Sequence, residues 1–599
     1  MRKTALALAA IVVAGTITYG SLGSLLRGPS VFADELIYMD ATRSVATGHA
    51  PQERDRPYGR GLLFPVAAAP VFAAMPNEID AYHALRGFNA FLFSLAAIPV
   101  YFLARRLLAW RWSIAVAALS VAAPSAVYSG LVLTESAAYL TGSCALLALL
   151  LAIERPTPRR QLVALGTCAL AALARPQLAA LVVAFPLGLG VRWLLLPRES
   201  RPGWTALRRL WPTAAAIGVA ALLWLGALAS GHVTLKDYRD VWTSYGPGSV
   251  AKWSWYTLAD LTLYVAVVPA VIAPAAVLDH WRRGRDGSTR DASFIGLFLA
   301  VNALTVVLVA AFSSATFGGD RLHDRYLFYV VPLWLVLFAA WLDHGARAST
   351  RMLAIGTGLG VALLATLPPR LVVHDTTIQF DAVATAVWAR IRAIDPARPG
   401  VLRVLLVLAV FAALGAVIAA RRVSPRARFA LLAPVVAVFA INAALVWDAR
   451  VKDADLKVFA DNRPSTWSWV DRVVPAGRRV ADVFVESGRC LPLNTGAFRW
   501  TEFFNERIGP VFRLGVPVAL VTDGKNARIA NDGVVRTLDG RAVTPDYVVA
   551  PPGLALRGQE LARGALAGLR LWKVDRPLRV LNATSNARAT EVACSQGSA

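Results

Sequence analysis

MRKTALALAAIVVAGTITYGSLGSLLRGPSVFADELIYMD, residues 1–40, decides how the rest of the chain is read. Arg2 and Lys3 precede an apolar run from Thr4 to Leu26, and two acids, Asp34 and Glu35, follow it. A helix crossing a bilayer core of about 30 Å needs about 20 apolar residues, so the run is long enough to span. Basic residues ahead of the run place its start on the cytoplasmic side. It is long for a secretory leader and no small-residue cleavage site follows, so an uncleaved first span is expected.

The same pattern recurs along the chain. Of 599 residues, 56% are hydrophobic and 17% charged, whereas soluble domains are about 45–50% apolar. Apolar stretches fall near residues 5–26, 86–108, 112–131, 135–153, 161–174, 177–196, 211–230, 259–279, 292–312, 325–342, 352–368, 402–420 and 429–447. They give an α-helical polytopic membrane protein with about 13 expected transmembrane helices. The net charge of +24 invites a nucleic-acid reading, but its distribution argues against one. Arg105, Arg106, Arg155, Arg159, Arg160, Arg282, Arg283, Arg347, Arg421 and Arg428 lie in alternate connecting segments poor in acids. The intervening segments carry acids and bases in near balance. That asymmetry is the positive-inside pattern of an inner (plasma) membrane protein, with the N-terminus inside and the C-terminal tail outside.

Spans end at Trp447. Residues 1–447 form the expected membrane domain, with a large first outward loop at 27–85. Residues 448–599 form an expected extracytoplasmic α/β domain. In the tail, Arg479–Val485, Val516–Val521 and Asp546–Ala550 read as strands, and Thr466–Val474 and Gln559–Leu569 as helices. Cys490 and Cys594 share this oxidising side, which would permit a disulfide, while Cys144 and Cys168 sit in apolar spans as small hydrophobes. Within the first loop, Leu36–Ala46 is amphipathic. Leu62–Met75 is too short to span and is expected at the interface. A second outward loop, His232–Tyr256, carries Trp242, Tyr245, Trp253 and Trp255, and a third runs from Ser313 to Arg325.

Several outward residues could carry chemistry. Asp34 and Glu35 stand where the first loop begins, and a carboxylate there could take a proton from an acceptor hydroxyl. The bland alternative is a solvated pair at a helix end. Glu135 follows Thr134 at an outward turn, where it would cap the next helix or touch a sugar. Arg175, in Ala174-Arg175-Pro176-Gln177, interrupts two short apolar segments. It either snorkels from a turn or lines a cavity, the setting in which broken helices are tolerated in membranes. Asp320, His323 and Asp324 are three potential ligands in one loop, so a divalent metal is possible, though a lone histidine among charges is more often simply solvated.

Phe32-Ala33-Asp34-Glu35 resembles the acidic motif of the glycosyltransferase C fold. That fold includes protein O-mannosyltransferases, lipid A aminoarabinose transferases and arabinofuranosyltransferases. Tyr58-Gly59-Arg60-Gly61-Leu62-Leu63-Phe64-Pro65 is similar to their first-loop segment, with Arg60 and Gly61 where a lysine followed by prolines is common. Asp324-Arg325-Tyr326 looks like their arginine–tyrosine motif entering a late span. The resemblance implies transfer of a sugar from a polyprenyl-phosphate donor to a cell-wall polysaccharide, lipid or protein acceptor. Asp34 would be the base and Glu35 its support. Arg60 and Arg325 would hold the phosphate with Tyr58 and Tyr326 beside them, and Arg175 and Glu135 would also contact substrate. Guanidinium groups suit this role because the leaving phosphate gains negative charge as the bond breaks. The rival readings are a lipid-linked-sugar transporter or flippase, and a non-catalytic cell-envelope assembly partner.

Overall fold

The computed structural model describes residues 2–26, 34–53, 56–201, 208–229, 245–315, 321–372, 381–394, 399–456, 467–485, 491–514, 525–564 and 568–595. The chain divides into two compact units. The first collects Met1–Gly20, Asn89–Ser129 and Thr134–Trp447; the second collects Ser21–Phe88, Gly130–Leu133 and Asp448–Ala599.

The first unit is helical. Among the described residues, seven helices of the whole chain are long and apolar enough to cross a membrane, or up to nine if each of two bent pairs is one span. This is fewer than the expected 13. Pro158–Ala174 and Thr350–Thr366 are helices of 17 residues each, and Phe328–Asp343 is also short. An apolar run in a sequence does not reveal where its helix breaks. The expected span at 259–279 is such a case. Pro247–Tyr264 and Val268–Arg285 meet at 105°, and Ala266 and Val267 between them have φ of 65° and 64°. A β-branched residue avoids positive φ unless its surroundings impose it. Trp110–Val121 and Pro124–Gly130 bend by 53°. The two breaks are tied together, since the Ser125 backbone N–H donates to the Tyr264 hydroxyl oxygen at 3.1 Å. The helix Pro247–Tyr264 also absorbs the second half of the expected loop at 232–256; Trp242 lies outside the described residues.

Elsewhere this unit packs through small residues, as membrane helices do when backbones approach closely. A Cβ on Gly296 would meet the Gly188 carbonyl, and one on Gly356 would meet the Val271 carbonyl. These contacts hold helix Leu181–Leu195 against Thr289–Ser314, and Thr350–Thr366 against Val268–Arg285.

The second unit is built on a seven-stranded sheet. Its strands are β1 (Val480–Val485), β2 (Ile508–Leu514), β3 (Lys525–Ile529), β4 (Val535–Thr537), β5 (Tyr547–Ala550), β6 (Gly558–Arg563) and β7 (Arg570–Val574). Their order is β4-β3-β2-β1-β5-β7-β6. β1, β2, β3 and β5 are parallel, and β4, β7 and β6 pair antiparallel at the two edges. Every residue of β1 is buried, the pattern of a central strand covered on both faces. The expected strands at 479–485 and 546–550 are β1 and β5, and the 466–474 helix is reduced to Trp469–Val473. Val516–Val521 and Cys490 lie outside the described residues. Of the expected helix at 559–569, Gln559–Arg563 form strand β6 instead, because β6 pairs with β7 along the sheet edge, and residues 565–567 lie outside the described residues. There the Glu560 carboxylate meets Arg563 at 2.5 Å and Arg570 at 3.4 Å. Pairing overrides the helix propensity of Gln-Glu-Leu-Ala.

Helices of the first loop belong to this same unit. Asp34–Ala46 starts with both acids in its first turn, where they favour the helix dipole. It packs on Leu63–Ala73 through Tyr38 and Phe64, whose rings are 6.2 Å apart. Arg43 ties it further. Its guanidinium reaches Glu78 at 2.5 Å, Asp40 at 2.8 Å and the Phe503 carbonyl at 3.0 Å. Tyr82 completes the junction, edge-on to Phe503 at 4.9 Å.

Candidate active site

The eight residues singled out in the sequence fall into two clusters, one in each unit. In the second unit, Asp34 and Glu35 are neighbours with opposite environments. The Asp34 carboxylate is 29% exposed and pairs with Arg60, itself 37% exposed, at 3.2 Å. Glu35 is fully buried. One of its oxygens accepts from the Val132 backbone N–H at 2.9 Å and from the Tyr82 hydroxyl at 3.3 Å. Successive residues of a helix point to different faces, which is how adjacent acids come to differ. Tyr58 donates to the Gly61 carbonyl at 3.1 Å, fixing the turn that presents Arg60. Burial, then Tyr38, pushes the Tyr58 hydroxyl up. Burial works against the Arg60 charge, but Asp34 and Tyr38 more than offset it and its pKa is raised. Behind Glu35, Arg86 lies 4.2 Å above the Tyr82 ring and donates to the Leu26 carbonyl at 2.7 Å.

In the first unit, Glu135, Arg175 and Arg325 converge. Glu135 is fully buried, Arg325 is 3% exposed and Arg175 is 7% exposed. A single Glu135 oxygen accepts from Arg175 at 2.5 Å and from the Nε of Arg325. Glu135 therefore does not act only at its helix start; it is the shared anion of two guanidinium groups. Arg175 does not snorkel outward either, but lies 5.0 Å from the centre of the Tyr326 ring. The Arg325 backbone N–H donates to the Asp381 carbonyl at 3.0 Å. The Asp381 carboxylate meets Arg321 at 2.9 Å and Arg325 at 3.9 Å. Tyr128 offers its ring face to Arg325 at 6.0 Å.

Tyr326 also lines a cavity of about 170 Å³ with Tyr329, Gln177, Leu181, Val309 and Phe312. The cavity is mostly apolar and runs between helices 181–195 and 289–314. Its polar end, at Gln177, Tyr326 and Tyr329, adjoins the arginine cluster.

Among the described residues, no three His, Cys, Asp or Glu side chains gather to hold a metal ion. Asp320 lies outside those residues. His323 is buried against the rings of Phe312 and Tyr326, and one Asp324 oxygen accepts from the Ala384 backbone N–H at 2.7 Å. Residues the sequence did not flag include Tyr82, Arg86, Tyr128 and Asp381. Asp381 had one legible signal, an acid in the interval between two apolar stretches.

This is a polytopic membrane protein of the glycosyltransferase C fold with a C-terminal α/β domain, as comparison with solved structures shows. The structure of ArnT from Cupriavidus metallidurans bound to undecaprenyl phosphate superposes with a TM-score of 0.51 at 15% identity, over 94% of this chain and 97% of that one. The same protein in its apo state matches at 0.48 and 16%, over 95% and 98%. The archaeal oligosaccharyltransferase AglB from Archaeoglobus fulgidus, in complex with an inhibitory peptide and a dolichol-phosphate, matches at 0.40 and 12%, over 82% of this chain and 63% of that one. No family model and no curated protein matches the sequence. Identities this low establish the fold alone.

Proposed function

We propose that the protein transfers a hexosyl or pentosyl group from a polyprenyl-phosphate donor to an acceptor of the cell envelope, on the outer side of the plasma membrane. The observation that carries this reading is the Arg175–Glu135–Arg325 cluster at the polar end of an apolar cavity. An isoprenoid chain suits the cavity. Its phosphate suits two guanidinium groups held side by side by one carboxylate. The N-terminus would be cytoplasmic and residues 448–599 extracytoplasmic, as the arginine bias of alternate segments indicates.

In the reaction, an acceptor hydroxyl oxygen attacks the anomeric carbon of the sugar. The bond from that carbon to the carrier phosphate breaks, and the phosphate leaves with the bonding electrons. Asp34 takes the hydroxyl proton; its partial exposure leaves it open to an acceptor in a way that buried Glu35 is not. Arg175 and Arg325 stabilise the charge on the departing phosphate, and Arg60 supplies a further cation beside Asp34. That the fold is shared with ArnT, solved with undecaprenyl phosphate bound, agrees with this donor class.

Single-turnover transfer from a synthetic polyprenyl-phosphate sugar tests the reading, with donor binding measured on the same preparation. Product formation by the wild type, lost with donor binding in Arg325→Ala, is the expected result. Donor movement across vesicles without any glycosyl product would replace it with a flippase, and failure to bind the donor would remove the substrate class.

A further inference from the structure

A second cavity, of about 540 Å³, lies in the first unit and shares no residue with the arginine–glutamate cluster. Four arginines line it: Arg282, Arg347, Arg421 and Arg428. They come from four separate segments. Arg282 is in the last turn of helix Val268–Arg285, Arg421 in the last turn of Pro399–Arg422, and Arg428 ends Pro425–Arg428. Arg347 follows the turn after Val331–Asp343.

Cations at helix ends have an ordinary explanation, since they neutralise terminal carbonyls. Here that explanation covers little. Arg428 makes one such bond, from Nε to the Ala420 carbonyl at 3.3 Å. None of the four arginines has a carboxylate partner among the described residues. The one acid lining the cavity, Asp279, is already engaged by Arg283 at 3.1 Å and lies 3.7 Å from His344.

The wall between the arginines is a fixed turn. Gly345 has φ of 101°, a conformation that disfavours a side chain. A Cβ there would stand 3.6 Å from the Arg428 guanidinium and 3.9 Å from the Arg347 side chain. The turn is clamped by Ala346 N–H to the Trp341 carbonyl at 2.8 Å, and by the Trp341 indole to the Arg347 carbonyl at 3.0 Å. Arginines are therefore collected around a fixed backbone turn in a preformed cleft, the donor set of a phosphate group.

The surroundings choose between a soluble anion and a lipid. Met352 lines the cavity, and Ile355 and Leu359 continue its helix face at the spacing of successive turns, 52% and 43% exposed. On the neighbouring helix, Ile418 and Phe411 lead away from Arg421, 39% and 51% exposed. Exposed apolar side chains on membrane helices face hydrocarbon. The arginine cleft thus lies beside two exposed apolar helix faces.

We propose that this cleft binds the phosphate headgroup of an anionic phospholipid, whose acyl chains lie along Met352, Ile355 and Leu359. Basic pockets between transmembrane helices on the arginine-rich side of a membrane protein suit such headgroups.

The test uses the full chain, purified in detergent with zwitterionic lipid only. Phosphatidylglycerol, cardiolipin, phosphatidylcholine and inorganic phosphate are added in turn, with retention read by native mass spectrometry and Tm by thermal unfolding. The anionic lipids should be retained and raise Tm, while phosphatidylcholine and millimolar inorganic phosphate should do neither. The triple variant Arg282→Gln, Arg347→Gln, Arg428→Gln should bind phosphatidylglycerol about a hundredfold more weakly. Equal retention of phosphatidylcholine by the wild type would overturn the proposal without any variant having to fold. So would unchanged phosphatidylglycerol binding in the triple variant, or a rise in Tm with inorganic phosphate equal to that with the lipid.

Discussion

Asp34 with Arg60, and Glu135 with Arg175 and Arg325, are both acid–arginine arrangements at helix starts, yet they sit in opposite environments. Asp34 and Arg60 are about one-third exposed; the Glu135 cluster is buried. Water screens the first, so its ion pair contributes little to stability and its carboxylate stays accessible. The second has lost its water, and each charge depends on its partners. A carboxylate that must meet a substrate belongs in the first setting. A carboxylate that must hold two guanidinium groups in place belongs in the second.

The comparison predicts its largest effect at Glu135. Glu135→Ala leaves Arg175 and Arg325 buried without their shared anion, and should destabilise the protein by about 3–5 kcal/mol. Thermal unfolding in detergent checks this, and a Tm equal to that of the wild type would show the cluster to be solvated after all. Asp34→Asn comes next and should act on rate alone. Turnover should fall by about 100-fold or more, with donor affinity and Tm unchanged, because the amide keeps the shape but cannot take a proton. Wild-type single-turnover rates in that variant would end the base assignment.

Two further substitutions sharpen the contrast. Arg325→Lys should recover only part of the donor affinity lost in Arg325→Ala, since an ammonium lacks the planar fork that reaches both Glu135 and a phosphate. Equal affinity for lysine and arginine would mean that charge alone is at work. The smaller effect is expected at Glu35→Gln, which keeps an oxygen to accept from the Val132 N–H. It should lower Tm modestly and reduce turnover less than Asp34→Asn; a larger loss of turnover would move the base from Asp34 to Glu35.

The pattern of apolar runs and alternating arginines made the membrane class legible in the sequence, and it singled out Asp34, Arg60, Arg175 and Arg325 as candidates at the ends of those runs. Each of these is a local property. A run of apolar residues must leave water wherever it folds, and an arginine between two such runs marks an end. Pairing is not local. Glu135 meets Arg175 across 40 residues and Arg325 across 190, and nothing in their flanking sequence distinguishes a shared counter-ion from a helix cap. The same holds for the 105° break after Tyr264, where Pro269 marks the start of the next helix but nothing announces the positive φ of Ala266 and Val267. It holds again for β6, whose residues favour a helix until the edge of the sheet supplies a partner. Sequence by itself determined which segments are apolar, which ends are charged and in what order the chemistry-bearing residues come. Tertiary structure alone decided which of those charges are buried together and which of two adjacent acids faces water. Burial depends on every element packed around a side chain, and a linear pattern records only its neighbours.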